Sequence, residues 1–127
     1  MLLIFPLIYS APPPFSPGFW YVSLQHFEES DAVCLFEKAL SWLLPGGVFY
    51  IGDIPDREKV WTFAITPEYE KSFFDLLKSG KPAIGTWYEK NFLRKAADWA
   101  HFSRCEIIEQ PSWQINSGYR FDIKLIK

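Results

Sequence analysis

A Pro-Gly-Gly turn at residues 45–47 separates two apolar segments and fixes where a helix must end and a strand must begin. The proline cannot continue a helix, and the two glycines can adopt the positive φ of a tight reversal. Residues 48–51 are apolar, aromatic or β-branched and too few for a helix, which favours a strand buried on both faces. Asp53 follows at the carboxyl end of this strand, where open α/β sheets bind their ligands.

Composition excludes several classes of function. The 127 residues suffice for one domain with an apolar core, and 49% of them are hydrophobic. A net charge of −2 gives no electrostatic footprint for nucleic acid or an anionic membrane. The two cysteines lack the spacing of a zinc site or a disulfide framework, which favours a reduced, cytoplasmic protein. No apolar run reaches the roughly 18 residues that a membrane span needs.

The first 18 residues differ from the rest of the chain. An apolar run over residues 2–9 is interrupted by Pro6, and the segment 11–18 is too rich in proline for regular structure. We therefore divide the chain into an irregular leader, residues 1–18, and an α/β domain, residues 19–127. The leader has no basic start and no clear cleavage site, so a small secreted domain is only a minor alternative.

The domain reads as strands alternating with amphipathic helices. Strands are predicted over residues 19–24, 48–53, 104–110 and 119–126, and helices over residues 31–44, 67–79 and 87–102. We expect parallel strands at 19–24, 48–53 and 104–110, because strand–helix–strand units of this length form parallel crossovers. The last strand alternates apolar with polar residues, so only one of its faces need be buried.

Side chains at the helix starts support these boundaries. Ser30 can cap the first helix, and Thr66 followed by a proline can cap the second. Thr86 and Glu89 have the spacing of a capping box, which predicts the start of the third helix.

Two short motifs resemble class I S-adenosylmethionine-dependent methyltransferases. One is the Leu-x-Pro-Gly-Gly turn followed by a strand that exits near Asp53-Ile54-Pro55, as around the family's fifth strand. The other is Leu24-Gln25-His26-Phe27, which matches the end of its fourth strand. The match covers residues 19–127 and departs at Phe15–Gly18, where the family usually has Phe-Asp. The resemblance implies a partial Rossmann-like sheet, mostly parallel, whose antiparallel last strand lies between its two predecessors, with helices packed on the sheet.

The resemblance covers only the carboxyl-terminal half of such an enzyme. The family holds its cofactor largely through a glycine-rich turn, and the seven glycines of this chain contain no such motif. The resemblance therefore implies a truncated methyltransferase acting on a small molecule, with impaired binding of S-adenosylmethionine. The alternative is a non-catalytic remnant or interaction module that self-associates through an exposed sheet edge near Trp20 and Val22.

His26 and Asp53 are the catalytic candidates, since both follow predicted strands at their carboxyl ends. His26 could act as a general base or bind substrate, but a helix-capping or packing role is favoured because the sequence pairs no partner with it. Asp53 could orient a substrate amine or hydroxyl, or cap the helix that follows.

Six further residues are binding candidates. The resemblance implies that Ser23, Leu24 and Gln25 contact the cofactor, with loop solvation as the alternative for Gln25. Arg57, Trp87 and Tyr88 are candidates for the substrate. Arg57 lies in a charged cluster that is typical of a solvated turn. Trp87 and Tyr88 could instead anchor the start of the third helix. No metal site is expected.

Overall fold

The computed structural model describes residues 24–127. Three strands are present in this part of the chain: β1 (Val48–Pro55), β2 (Arg104–Glu109) and β3 (Arg120–Ile126). The helices are α1 (Glu29–Trp42), α2 (Val60–Phe63), α3 (Pro67–Lys78) and α4 (Lys90–Trp99), with two 3₁₀ turns at Leu24–His26 and Arg57–Lys59.

The strands form a sheet of order β1-β3-β2. β3 pairs antiparallel with both neighbours, and Ile123 lies opposite Ile51 on one side and Ile107 on the other. β1 and β2 therefore run in the same direction, and the expected position of the antiparallel last strand is confirmed.

The expectation of a mostly parallel sheet is not confirmed. Every ladder within residues 24–127 is antiparallel, because inserting β3 between two like-directed strands replaces one parallel pair with two antiparallel pairs. The strand predicted over 19–24 lies outside the described residues except for Leu24, which begins a 3₁₀ turn.

Helix α1 leads into the turn that precedes β1. It begins one residue before Ser30, with Glu28 at the N-cap and no side-chain capping bond, so the predicted Ser30 cap is wrong. Gly46 has the positive φ expected of the turn, 81°. The Nζ of Lys127 donates to the carbonyl oxygens of Leu40 and Leu43, at 2.9 and 2.6 Å, and so satisfies acceptors at the carboxyl end of α1.

Helix α3 has the predicted ends. The Thr66 hydroxyl accepts a hydrogen bond from the Tyr69 amide at 3.2 Å, and Pro67 occupies the first turn. Gly80 follows the last turn with φ 81°. Local side-chain chemistry is sufficient to set both ends here.

Helix α4 begins later than predicted. Glu89 is its N-cap without a side-chain capping bond, so the Thr86–Glu89 capping box does not form. The Thr86 amide instead donates to the Gln25 carbonyl at 2.9 Å, and the Tyr88 amide to that of Pro55 at 2.8 Å. Hydrogen bonds to distant parts of the chain hold residues 86–88 extended.

The core lies between the sheet and helices α1 and α4, and its aromatic members include Phe36, Phe49, Tyr88 and Phe121. Both faces of β3 are covered: Arg120 and Asp122, predicted to face solvent, are only 8% and 7% exposed. Polar contacts cover the second face: Arg120 donates to Gln25, and Asp122 accepts from Tyr50 and Gln110. None of the helices within residues 24–127 is both long and apolar enough to cross a bilayer.

Candidate functional site

The carboxyl end of β1 is distorted at Asp53. The pairing of β1 with β3 shifts register between Ile51 and Ile54, and Asp53 has a φ of 54°. Its amide donates to the Asp122 carboxylate at 2.9 Å. The bulge therefore sets the direction of the Asp53 side chain, whose carboxylate accepts a hydrogen bond from Gln110.

A polar cluster holds this bulge. Gln110 donates through Nε2 to the carboxylates of Asp53 and Asp122, at 2.7 and 2.9 Å. The Tyr50 hydroxyl donates to the other oxygen of Asp122 at 2.6 Å. Burial, followed by this hydrogen bond, raises the pKa of Tyr50 above its usual range, so the phenol stays protonated. Asp53 is thus positioned by its neighbours and does not cap the next turn, a role that Asp56 fills by accepting from the Glu58 amide.

Arg120 connects the cluster to the segment that carries Gln25 and His26. Its Nη1 donates to the Gln25 side-chain oxygen at 2.6 Å and to the Asp53 carbonyl at 2.7 Å. The Arg120 side chain is nearly buried, so both hydrogen bonds lie in an environment of low dielectric. Arg120 therefore ties the first 3₁₀ turn to the end of β1.

His26 is exposed beside this contact. Its Nε2 lies 3.4 Å from the side-chain nitrogen, Nε2, of Gln25. A β-carbon added at Gly85 would lie only 2.1 Å from the Gln25 carbonyl oxygen, so only glycine permits this approach of the two backbones. His26 is exposed to solvent, whereas the Gln25 carbonyl is held by the Thr86 amide.

A cavity of about 430 Å³ opens next to this segment. Its walls come from the start of α1, the chain after β1, helix α3 and the loop before α4. The described residues that line it are Glu29, Arg57, Val60, Trp61, Phe73, Leu77, Pro82, Gly85, Thr86 and Trp87. The volume is typical of a small-molecule site.

Aromatic rings form the inner wall of the cavity. The Trp87 indole nitrogen donates to the Ala83 carbonyl at 3.0 Å, which fixes the ring. The Trp87 ring packs against Phe63 and Phe73, with centroids 5.5 and 6.5 Å away. Trp61 lies 5.6 Å from Phe73 and is 53% exposed. The wall is rigid on the Trp87 side and open to solvent on the Trp61 side.

The predicted binding residues separate into three groups. Arg57 and Trp87 both line the cavity. Tyr88 is 0% exposed and its hydroxyl donates to the Phe27 carbonyl at 2.8 Å, which supports the packing interpretation over substrate stacking. Leu24 is also buried in the core, and Ser23 lies outside the described residues.

Three contributors were not predicted from the sequence. Arg120 is one of the polar residues of the last strand, which was expected to bury only one face, and Trp61 and Glu29 belong to no motif of the sequence. Arg120 had no local signal, because the partners that bury it, Gln25 and Asp53, are distant in sequence. Trp61 and Glu29 reach the cavity through tertiary packing.

The donors near Gln25 do not amount to a complete cofactor site. Among residues 24–127, Arg120 donates a hydrogen bond to the Gln25 side-chain oxygen, and the Leu24 side chain is buried. His26 is the exposed residue of this turn. No group of three His, Cys, Asp or Glu side chains in the described part of the chain is arranged to hold a metal ion. The polar groups of this segment do not by themselves form a site for the whole of S-adenosylmethionine.

Comparison with known proteins identifies the fold but no sequence relative. No family profile matches the sequence, and no curated protein matches it. A putative O-methyltransferase from Nostoc punctiforme PCC 73102 has a similar structure, with a TM-score of 0.65 at 18% identity over 95% of this chain and 34% of that one.

Two other methyltransferase structures are similar at the same level. A SAM-dependent methyltransferase of Thermotoga maritima, described as a possible histamine N-methyltransferase, gives a TM-score of 0.62 at 16% identity over 95% of this chain and 60% of its own. The structure of PigF with SAH gives a TM-score of 0.63 at 17% identity, over 95% of this chain and 33% of its own. The chain thus spans about a third of the first and third structures, and its fold is similar to that of SAM-dependent methyltransferases.

Proposed function

We propose that the chain forms the carboxyl-terminal half of a class I methyltransferase fold, whose activity is transfer of a methyl group to a small molecule. The single observation that supports this most is the β1-β3-β2 order with an antiparallel central strand. The family places its fifth, seventh and sixth strands in this way. The similarity to solved methyltransferases supports the same assignment at the level of the fold.

The cavity is the methyl-acceptor side of the proposed site. Arg57 and Trp87 line it and would bind the acceptor, while His26 lies exposed on the neighbouring turn. Methyl transfer depends mainly on alignment of the acceptor atom, because the bound cofactor would supply an already reactive methyl group. The rigid Trp87 wall and the fixed Gln25 backbone suit a positioning role.

S-adenosylmethionine should bind this chain only weakly. The described turn at Leu24–His26 offers few free donors, and the sequence lacks the glycine-rich motif that carries most cofactor contacts in the family. A site that is open on one side leaves polar groups of the ligand in water and loses affinity.

A titration of the 127-residue chain with S-adenosylhomocysteine, followed by amide NMR, tests this proposal. We expect shifts at residues 25 and 26 with a millimolar dissociation constant. His26→Ala should reduce the shifts, whereas His101→Ala, the other histidine, should leave them unchanged. Micromolar affinity would contradict the impaired cofactor site, and no shift near residue 26 at millimolar ligand would contradict the methyltransferase assignment.

A non-catalytic interaction module is the second candidate, because α3 exposes several large apolar side chains. Tyr69, Phe74 and Leu77 are 61%, 53% and 50% exposed. Exposed apolar patches of this kind mark protein–protein contacts. This candidate predicts association without any shift on addition of S-adenosylhomocysteine.

A further inference from the structure

The cavity between α1, α3 and the loop before α4 has flat apolar walls. Trp87 is held by its bond to the Ala83 carbonyl, and Phe73 packs between Trp61 and Trp87 with centroid distances of 5.6 and 6.5 Å. Trp61 and Leu77 line the same cavity and remain about half exposed. A planar ring bound there would cover both side chains and stack against indole, which stabilises aromatic ligands.

Two opposite charges accompany these rings. Arg57 and Glu29 both line the cavity, and neither side chain forms an ion pair or hydrogen bond within residues 24–127. The Arg57 amide donates to the Tyr88 carbonyl at 2.9 Å, which anchors the backbone from which the guanidinium extends. A guanidinium binds carboxylates in bidentate fashion, and a carboxylate accepts from an amine or hydroxyl.

We infer that this cavity binds an aromatic carboxylic acid that also carries an amine or hydroxyl group. The ring would stack on Trp61 and Trp87, the acid would bind Arg57, and the donor group would face Glu29. The volume of about 430 Å³ accommodates a bicyclic ring with a short side chain. The inference rests on the proposed function only in treating the bound acid as the methyl acceptor.

Calorimetry with four indole or cyclohexyl probes tests the inference on the full chain. Indole-3-propionate supplies ring and acid, L-tryptophan adds an amine, tryptamine lacks the acid, and cyclohexylpropionate lacks the aromatic ring. We expect L-tryptophan to bind most tightly and indole-3-propionate next. Tryptamine should bind about tenfold more weakly than L-tryptophan because it loses the acid contact. Cyclohexylpropionate should bind about tenfold more weakly than indole-3-propionate because it loses the stacking contact.

Three variants assign the contacts. Arg57→Gln should weaken L-tryptophan and indole-3-propionate about tenfold and leave tryptamine unchanged, because it removes only the partner of the acid. Glu29→Gln should make the affinity for L-tryptophan equal to that for indole-3-propionate. Trp61→Leu should weaken all three indole probes and reduce their preference over cyclohexylpropionate.

Arg94→Gln provides the matched control, since Arg94 is exposed on α4 and does not line the cavity. Circular dichroism of each variant checks folding. Absence of binding by L-tryptophan and indole-3-propionate at millimolar concentration would overturn the inference. Equal losses of affinity in Arg57→Gln and Arg94→Gln would also overturn it. Binding of the acids without any response to S-adenosylhomocysteine would uphold the cavity assignment and contradict the methyltransferase proposal.

Discussion

Gly85 is the residue at which the site is least tolerant of change. It combines a φ of 111° with an approach that would place a β-carbon 2.1 Å from the Gln25 carbonyl oxygen. Gly80 also has positive φ, 81°, but a β-carbon there would meet nothing within 4 Å. Substitutions at Gly80 and Gly85 therefore distinguish the energetic cost of a positive φ from the additional cost of a steric clash.

We predict that Gly80→Ala lowers the free energy of unfolding by about 1 kcal/mol, the cost of placing a side chain at positive φ. Gly85→Ala should lower it by roughly 3 kcal/mol or more, because the 85–88 segment must also move away from Gln25. Urea unfolding of both variants measures the difference. Equal destabilisation would mean that the contact between Gly85 and Gln25 is not tight in solution.

Cys105 should make stability fall at high pH. Burial raises its pKa from 9.0 to about 11. The unfolded thiol therefore ionises first, the unfolded state binds fewer protons, and stability is lost as the pH rises from about 9 to about 11. Below that window the thiol is protonated in both states.

Cys105→Ala should flatten the decline of unfolding free energy between about pH 9 and about pH 11, although the variant is less stable throughout. Cys34→Ala removes the exposed thiol of α1 and is the control for loss of a sulfur atom. Urea unfolding at several pH values measures both. A Cys105→Ala profile parallel to that of the unaltered chain would contradict the predicted role of this thiol.

Single-residue roles were predictable only where the relevant contact is local. Thr66 was correctly predicted to cap α3, since its partner is three residues away. Arg120 was not predicted to be buried, because its partners Gln25 and Asp53 are distant in sequence. For the same reason Asp53 could not be distinguished from a cap until Gln110 and Asp122 were seen to hold it.

At the scale of elements, β3 is the central strand and pairs with both other strands of the sheet. Ile123 is 0% exposed and faces Ile51 and Ile107 across two ladders. Ile123→Ala should lower the free energy of unfolding by about 2–5 kcal/mol, through lost burial and the cavity left behind. Ile115, which is 82% exposed, is the control. Ile115→Ala should change the free energy of unfolding by less than about 0.5 kcal/mol.

Chemical denaturation of these two isoleucine variants measures both effects. Similar stabilities for Ile123→Ala and Ile115→Ala would contradict the central position of β3. A change in the denaturant slope alone would indicate an altered unfolded state instead.

Element positions followed from periodicity, whereas some of their ends did not. The three longer helices, α1, α3 and α4, and the three strands after residue 47 were predicted, since apolar spacing identifies the buried face of each. The start of α4 was wrong by three residues, because Thr86 and Tyr88 form hydrogen bonds to Gln25 and Pro55 that no local pattern encodes. Helix α2 was missed, and its four residues are too few to show a period.

At the scale of the whole molecule, we predict self-association. The sequence suggests an exposed strand edge near Trp20, outside the described residues, and α3 presents Phe74 and Leu77 to solvent. Light scattering at micromolar concentration should detect a dimer or larger species. A sharp monomer peak would contradict this prediction.

Two charge variants identify the surface responsible. Trp20→Glu should restore the monomer if the strand edge mediates contact, and Phe74→Glu should do so if α3 does. Thr62→Glu introduces the same charge at an exposed position on α2 and is the control. An unchanged association state in both test variants would exclude these two surfaces.

The strand order could be expected only through the resemblance to a known family. Apolar periodicity identifies β1, β2 and β3 but carries no information about which strand lies in the middle. The methyltransferase motifs placed the last strand between its two predecessors, and the register of Ile123 with both neighbours agrees. The cavity followed from neither source, because Glu29, Trp61 and Trp87 come from three separate segments.

The central position of β3 also determines when the chain can fold during synthesis. Val48 pairs with Ile126, so β1 leaves the ribosome long before the strand that completes its ladder. β2 waits for the same strand, and within residues 24–127 neither has another ladder to form first. Two apolar strands thus remain unpaired on the nascent chain until residues 120–126 emerge from the ribosome, which makes this interval the one in which chaperone contact matters most.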